Sequence, residues 1–90
     1  MSNFQANVQV SLRPSVLDPA GEATKSAAIK LGIKGIRKLR IGKSIDIEIE
    51  ASNQDEAKQQ IELLSDRLLA NPVIEDWSLQ LNTIDSTVKN

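Results

Sequence analysis

The chain has 90 residues, enough for one domain with a single modest core, and its 40% hydrophobic and 26% charged content is that of an ordinary globular domain. It contains neither cysteine nor histidine, which excludes disulfides, thiolate nucleophiles, cysteine-ligated zinc and catalytic pairs built on histidine. The formal net charge of −1 argues against nonspecific binding to nucleic acid or to an anionic membrane.

The charges are unevenly distributed along the chain. Residues 23–43 contain seven basic residues and no acidic one, whereas residues 44–85 contain ten acidic residues against two basic ones. One interpretation of this asymmetry is electrostatic complementarity, either between copies of the chain or with a protein partner. The simpler interpretation is that these charges lie on solvent-exposed faces of a helix and a hairpin. No apolar run is long enough to span a membrane, and the absence of cysteine fits a cytoplasmic protein.

The first part of the chain predicts a strand followed by a helix. Residues 4–12 alternate strictly between apolar and polar side chains, as in a half-buried strand. Asp18 is in the position of a helix N-cap, with Pro19 as the first helical residue. The predicted helix covers about residues 19–31, and Gly32 is its expected stop.

The middle of the chain predicts a β-hairpin. Residues 36–41 are predicted to form the second strand, although Ile36 is out of phase with the apolar residues that follow it. Gly42 and Lys43 lie between two apolar runs and predict a two-residue turn. The third predicted strand, residues 44–51, alternates isoleucine with acidic residues.

The C-terminal part predicts one more helix and one more strand. Asn53 and Glu56 have the spacing of a capping box, which predicts a helix that continues to about Ala70. Residues 73–81 are predicted to form the fourth strand, with Trp77 on its apolar side.

The predicted order of elements is β-α-β-β-α-β, which is typical of an α+β fold. We expect a four-stranded antiparallel sheet with two helices on one face, the ferredoxin-like order. Residues 1–81 are predicted to form a single domain and residues 82–90 a polar C-terminal tail. Because this architecture hosts many unrelated activities, it does not by itself indicate a function.

Two features resemble functional sites but favour a structural explanation. Asp46, Glu48 and Glu50 share one face of a strand, where a row of exposed acidic residues is more typical of a solvated surface than of a catalytic or cation site. The two aromatic residues, Phe4 and Trp77, share the phase of apolar neighbours and are expected in the core, which disfavours RNA recognition by stacking.

Several blocks of the sequence resemble the small S subunit (PurS) family of phosphoribosylformylglycinamidine synthase. Residues 12–21 read LRPSVLDPAG, close to a signature of that family, and residues 68–76 read LLANPVIED. The similarity covers about residues 4–81, with mild departures in the alanine-rich first helix and at Trp77, where tyrosine or phenylalanine is expected.

The resemblance implies a non-catalytic accessory subunit in purine biosynthesis, with no cofactor of its own. In that family's complex, a glutaminase subunit releases ammonia from glutamine, and a large synthetase subunit uses ATP to convert formylglycinamide ribonucleotide to the amidine. The S subunit is expected to bridge these two partners and to assist ammonia transfer. The family also implies self-association, as a dimer or a larger oligomer.

Five residues are candidates for contact with the partners. Three lie in the proline-containing loop after the first strand and two lie at the predicted hairpin: Arg13, Pro14, Asp18, Arg40 and Lys43. Each also has a structural explanation, as a loop, cap or solubilising residue. An alternative from another functional class is an ACT-like regulatory module, which has the same order of elements and binds a small molecule.

Overall fold

The computed structural model describes residues 1–84, which form a three-stranded sheet and two helices. The strands are β1 (Ser2–Leu12), β2 (Lys43–Ala51) and β3 (Glu75–Ile84). The helices are α1 (Pro19–Lys30) and α2 (Gln54–Leu64), and a π-helical segment, Ser65–Leu69, continues α2. No helix in this part of the chain combines the length and the apolar character needed to cross a membrane.

The sheet is antiparallel, with β1 in the centre and β2 and β3 at its two edges. Because side chains alternate along each strand, the register gives the sheet one apolar and one polar face. The apolar face carries Phe4, Ala6, Val8 and Val10 of β1, Ile45, Ile47 and Ile49 of β2, and Trp77, Leu79 and Leu81 of β3. The polar face carries Gln5, Asn7 and Gln9 of β1, Asp46, Glu48 and Glu50 of β2, and Ser78, Gln80 and Asn82 of β3.

The core lies between the apolar face and α2. Asn53 caps α2 by accepting a hydrogen bond from the Glu56 N–H, and the Glu56 carboxylate accepts one from the Ser52 N–H. This confirms the predicted helix start and turns Ile61 toward the sheet. The buried apolar residues form two adjoining clusters: Ala6, Val8, Val10, Ile61 and Ala70 in one, and Phe4, Ala51 and Ala57 in the other.

The predicted second strand, residues 36–41, is wrong: this segment forms no strand within the described residues. The hairpin turn at Gly42 and Lys43 is also wrong, because β2 begins at Lys43 and pairs directly with Val10 of β1. A Cβ on Gly42 would lie 2.7 Å from the Val10 carbonyl oxygen, so glycine here lets the chain pass close to β1. The alternation favoured an extended backbone but carried no information on its pairing.

The prediction that two helices cover the sheet holds for α2 but not for α1. The first helix makes no substantial contact with the sheet. Helix α1 and residues 31–42 together form an excursion that we call the arm (residues 19–42), and its last residues return to lie beside Asp18 and β1. The Cα radius of gyration is therefore 17.2 Å, against about 12 Å for a compact domain of this length. Gly32, at a φ of 91°, ends α1 as predicted.

At the C-terminus, β3 continues three residues past the predicted strand end, to Ile84. The first residues of the predicted polar tail therefore belong to the sheet, where Asn82 pairs with Gln5. Residues 85–90 of that tail lie outside the described part of the chain.

The π-helical turn buries a serine hydroxyl that has no hydrogen-bond partner. Ser65 is fully buried, and its Oγ makes no hydrogen bond within residues 1–84. Because an unpaired buried hydroxyl costs about 1–3 kcal/mol of desolvation, we expect Ser65→Ala to leave the free energy of unfolding unchanged or to raise it by about 1 kcal/mol. Denaturant unfolding measures this change. A loss of more than about 1 kcal/mol would show that the hydroxyl is satisfied in solution.

Candidate functional site

All five predicted contact residues lie at one end of the sheet, where four segments meet. These segments are the connection from β1 to α1, the end of the arm, the start of β2, and the turn between α2 and β3. We call this region the junction and define it by the residues whose bonds hold it together: Arg13, Asp18, Gly21, Arg40, Ile41, Lys43, Leu69, Pro72, Val73, Glu75 and Asp76.

Arg13 ties the end of β1 to the turn before β3. Its Nη2 donates to the Pro72 carbonyl at 2.7 Å and its Nη1 to the Val73 carbonyl at 3.1 Å. Its Nε donates to Asp76 Oδ1 at 3.1 Å, in a partly exposed ion pair. The planar guanidinium satisfies three acceptors at once, which a lysine could not do. Within the described residues, the Arg13 side chain is thus committed to the chain itself.

Asp18 holds both ends of the arm with one buried carboxylate. Its Oδ1 accepts from the Gly21 N–H at 3.0 Å, which confirms the predicted N-cap of α1. Its Oδ2 accepts from the Ile41 N–H at 2.8 Å, a contact that no sequence pattern predicts. Beside it, Arg40 Nη2 donates to the Arg13 carbonyl at 2.9 Å. The arm is therefore closed at its base by the side chains of Asp18, just before it, and Arg40, near its end.

The environment of Asp18 favours its ionised form. The hydrogen bond from the Ile41 N–H lowers the pKa of this carboxyl below its ordinary value of 3.8, and the Gly21 N–H lowers it further. Burial opposes this shift, and the nearby Arg40 charge supports it.

The pKa direction gives a pH dependence. Since the folded chain binds the Asp18 proton less tightly than the unfolded chain, the stabilisation is complete above pH 3.8 and is lost as pH falls through the lower folded pKa. We expect Asp18→Asn to be less stable than wild type at neutral pH, and the difference to shrink below pH 3.8. Urea unfolding of both proteins across this range measures it. A difference that stays constant down to pH 2.5, about 1 unit below, would contradict the assignment.

Lys43 of the junction and Pro14 beside it are the two predicted contact residues that remain exposed. Pro14 lies in a turn closed by the Val16 N–H and the Arg13 carbonyl, 2.9 Å apart, where its fixed φ suits the second position. Lys43 Nζ is 3.5 Å from the Leu69 carbonyl and 3.9 Å from Glu75 Oε2, both long contacts. These side chains can meet another molecule without a change in the fold.

The acidic row of β2 lies on the polar face, as the alternation predicts. Asp46 accepts a hydrogen bond of 2.9 Å from the amide of Asn7, and Glu48 and Glu50 are exposed. Residues 1–84 contain no group of three or more carboxylates close enough together to hold a metal ion. Phe4 is buried and Trp77 packs half-buried against the core, which confirms the predicted core positions of both aromatic residues.

The bonds of the junction join parts of the chain to one another. Its polar groups pair with one another, and the chain holds no histidine or cysteine to act as base or thiolate. Sequence reasoning found Arg13, Asp18 and Arg40 but missed Asp76 and the Pro72 and Val73 carbonyls. These partners are 59–63 residues away from Arg13 along the chain, and only the tertiary structure brings them together.

Comparison with known proteins decides the family. The PurS family model, described as phosphoribosylformylglycinamidine (FGAM) synthase, matches residues 5–83. The chain belongs to the PurS family. This family comprises subunits of phosphoribosylformylglycinamidine synthase, an enzyme of purine biosynthesis.

Individual PurS proteins are similar to this chain in sequence and structure over most of their length. It is 41% identical over 86 residues to the synthase subunit PurS of Synechocystis sp., covering 96% of this chain and 86% of that one. The crystal structure of Methanocaldococcus jannaschii PurS matches with a TM-score of 0.80 at 33% identity, over 91% of this chain and 99% of that one. A chain in the structure of PurLQS from Thermotoga maritima matches with a TM-score of 0.84 at 33% identity, over 91% of this chain and 100% of that one.

Proposed function

We propose that this chain is the non-catalytic subunit that joins the glutaminase and the synthetase of the FGAM synthase complex and assists the passage of ammonia between them. The observation that carries the proposal is its likeness, over nearly its full length, to a chain in the PurLQS structure of Thermotoga maritima. The absence of histidine and cysteine supports an accessory role, because glutamine hydrolysis through a thiolate is impossible for this chain. A role in purine biosynthesis supports a cytoplasmic location.

The chemistry explains why such a subunit is needed. Ammonia released into water near neutral pH is mostly protonated, and the ammonium ion is not a nucleophile. An assembly that excludes water between the two active sites keeps the nitrogen reactive. A protein that holds two enzymes together can therefore be essential for the coupled reaction without touching either reacting centre.

A reconstitution tests this function. The purified synthetase and glutaminase are assayed for amidine formation from formylglycinamide ribonucleotide and ATP, with and without this chain, using either glutamine or a high concentration of ammonium salt. We expect the glutamine-dependent rate to require the chain and the ammonium-dependent rate to depend on it much less. Full glutamine-dependent activity of the two enzymes without the chain would refute the proposal.

We infer that the junction is one of the surfaces that meet the partners. Arg13, Asp18 and Arg40 would fix its shape through their internal bonds, while Pro14 and Lys43 would make the contact from their exposed positions. This shape needs no new conformation on binding, since the bonds that define it are already formed.

The exposed lysine allows a test of the junction surface. Lys43→Glu removes a partly exposed ion pair worth about 0–1 kcal/mol, so the fold should survive. We expect the variant to bind the other two subunits at least about tenfold more weakly, which is about 1.4 kcal/mol. Gel filtration of the mixed subunits measures assembly, and Lys58→Glu on α2 is the matched control. Equal assembly by both variants would exclude Lys43 from the contact.

We also propose that the chain self-associates, as a dimer or a larger oligomer. The apolar face of the sheet is covered by one helix, so Ile45, Ile47 and Leu79 remain half-exposed. Large apolar side chains are exposed along and beside the arm, among them Leu17, Ile29, Leu31 and Ile33. Exposed apolar surface of this kind, on a projecting arm and an incompletely covered sheet, is typical of an interface between subunits.

A further inference from the structure

We propose that the basic surface of the arm binds an acidic surface of the glutaminase. This basic surface consists of Lys25, Lys30, Lys34, Arg37 and Lys38. The proposal rests on the proposed function above, and it names one partner and the kind of surface that this partner presents. It arises from an unequal division of charge between the arm and the rest of the chain.

The arm and the rest of the chain carry opposite formal charges. Residues 19–42 contain six basic residues against one acidic residue, Glu22, which gives a charge of +5. The remaining residues contain five basic against eleven acidic ones, which gives a charge of −6. The small net charge of −1 therefore conceals a strong separation of charge, and such a separation orients a protein as it approaches a charged partner.

Hydrogen bonds bring the basic residues of the arm into one region. The chain turns back after α1 at Gly32, where the Ile33 N–H donates to the Ala28 carbonyl at 3.1 Å. Lys25 Nζ donates to the Arg37 carbonyl at 3.1 Å. The helix and the returning segment therefore lie side by side, and both contribute basic side chains to the same part of the arm.

The basic surface is accessible and has no ionic partner within residues 1–84. Four of its five residues are exposed, and Lys25 is half-buried. The two ion pairs in this part of the chain involve Arg13 and Lys43 instead. Exposed charges of one sign increase the rate of association with a surface of the opposite sign and disfavour partners of the same sign.

The charges of the substrates favour the glutaminase over the synthetase as the partner. The synthetase binds ATP and a phosphoribosyl substrate, which are both anions, and a site that attracts anions has a positive potential around it. Glutamine has no net charge at neutral pH, so its binding places no such requirement on the glutaminase. An acidic surface that receives the arm is therefore compatible with the glutaminase, whereas the synthetase would repel the arm.

Reversal of two exposed charges tests the contact. The variant with Lys30→Glu and Lys34→Glu is mixed with synthetase and glutaminase, and glutamine-dependent formation of the amidine is measured at increasing glutaminase concentration. We expect the half-saturating concentration of glutaminase to rise at least about tenfold and that of the synthetase to stay unchanged. The difference from wild type should shrink as added salt screens the charges.

A matched control separates the arm from the net charge of the chain. Lys58→Glu with Arg67→Glu changes the net charge by the same amount, through exposed residues of α2 and the segment after it. This control should require the same glutaminase concentration as wild type. An equal increase for the control and the arm variant would overturn the proposal. Circular dichroism checks the fold of both variants.

Two further results would assign the basic surface to another molecule and overturn the proposal. An increase in the half-saturating concentration of synthetase, with that of glutaminase unchanged, would make the synthetase its partner. Sedimentation of the arm variant alone tests for a second copy: weaker self-association than wild type and control would show that the copies of this chain bind one another through these lysines.

Failure of this proposal differs from failure of the proposed function. If the glutamine-dependent rate requires the chain but the arm variant behaves like the control, the contact with the glutaminase is refuted and the accessory role stands. If the rate does not require the wild-type chain at all, the accessory role fails and the contact fails with it.

Discussion

Replacement of Ile61 by alanine is expected to lower the free energy of unfolding by about 2–5 kcal/mol. Ile61 is 1% exposed and is the side chain of α2 that packs among Ala6, Val8 and Val10 of β1. The other fully buried members of its cluster are alanines and valines, so the substitution removes the largest buried side chain between helix and sheet and leaves a cavity. Since domains of this size are stable by about 5–15 kcal/mol in total, the loss is a large share of the whole. Chemical denaturation measures this loss, provided that the free energy of unfolding depends on denaturant concentration with the same slope in the variant and in wild type.

Leu63, two residues along the same helix, is the control for this prediction. Its side chain is 57% exposed, so Leu63→Ala should cost less than about 1 kcal/mol when copies are dilute enough to be dissociated. Equal losses for the two variants would mean that α2 faces the sheet differently from the structure described above.

Replacement of Gly21 by alanine is expected to destabilise the chain, by about 1–3 kcal/mol, although the same change in an ordinary helix stabilises. A Cβ at this position would lie 2.5 Å from the Leu39 carbonyl oxygen and would also collide with the Asp18 carboxylate. One of these obstacles is backbone and the other is held by two hydrogen bonds, so neither can move cheaply. The substitution should therefore push the backbone at Leu39 away from the start of α1.

The sign of the effect makes this prediction sharp. Ser26→Ala, at an exposed position of the same helix, should raise the free energy of unfolding by a few tenths of a kcal/mol, on the order of the helix-propensity difference. Thermal unfolding of the two variants beside wild type compares them directly. A Gly21→Ala protein that is as stable as Ser26→Ala would show that the arm does not pass over the start of α1.

Much of this fold is encoded locally and was predictable. The strict alternation of residues 4–12 fixed the buried side of β1, and the Asn53 and Glu56 spacing fixed the start of α2, because both depend on neighbours a few residues apart. The same reasoning found Asp18 as the cap of α1.

The errors arose where the outcome depends on distant parts of the chain. Residues 36–41 have strand-like alternation, but the Ile41 N–H donates to the Asp18 carboxylate, 23 residues away along the chain, and not to a neighbouring strand. The π-helical turn at Ser65–Leu69 was also missed, since its sequence does not differ from that of an ordinary helix end. For the junction, residue types identified one partner of each bond, and the carbonyl partners of Arg13 became visible only in the folded chain.

Because the Asp18 carboxylate binds the chain at both ends of the arm, the arm could be removed without separating the sheet from α2. The backbone leaves at Gly21 and returns at Ile41 beside the same Asp18 side chain, so a short linker could span the gap. Neither buried cluster contains a residue of the arm. A shortened protein, with residues 22–40 exchanged for a few glycines and serines, should thus keep the sheet and α2, and such a miniature would suit the engineering of new loops at this position.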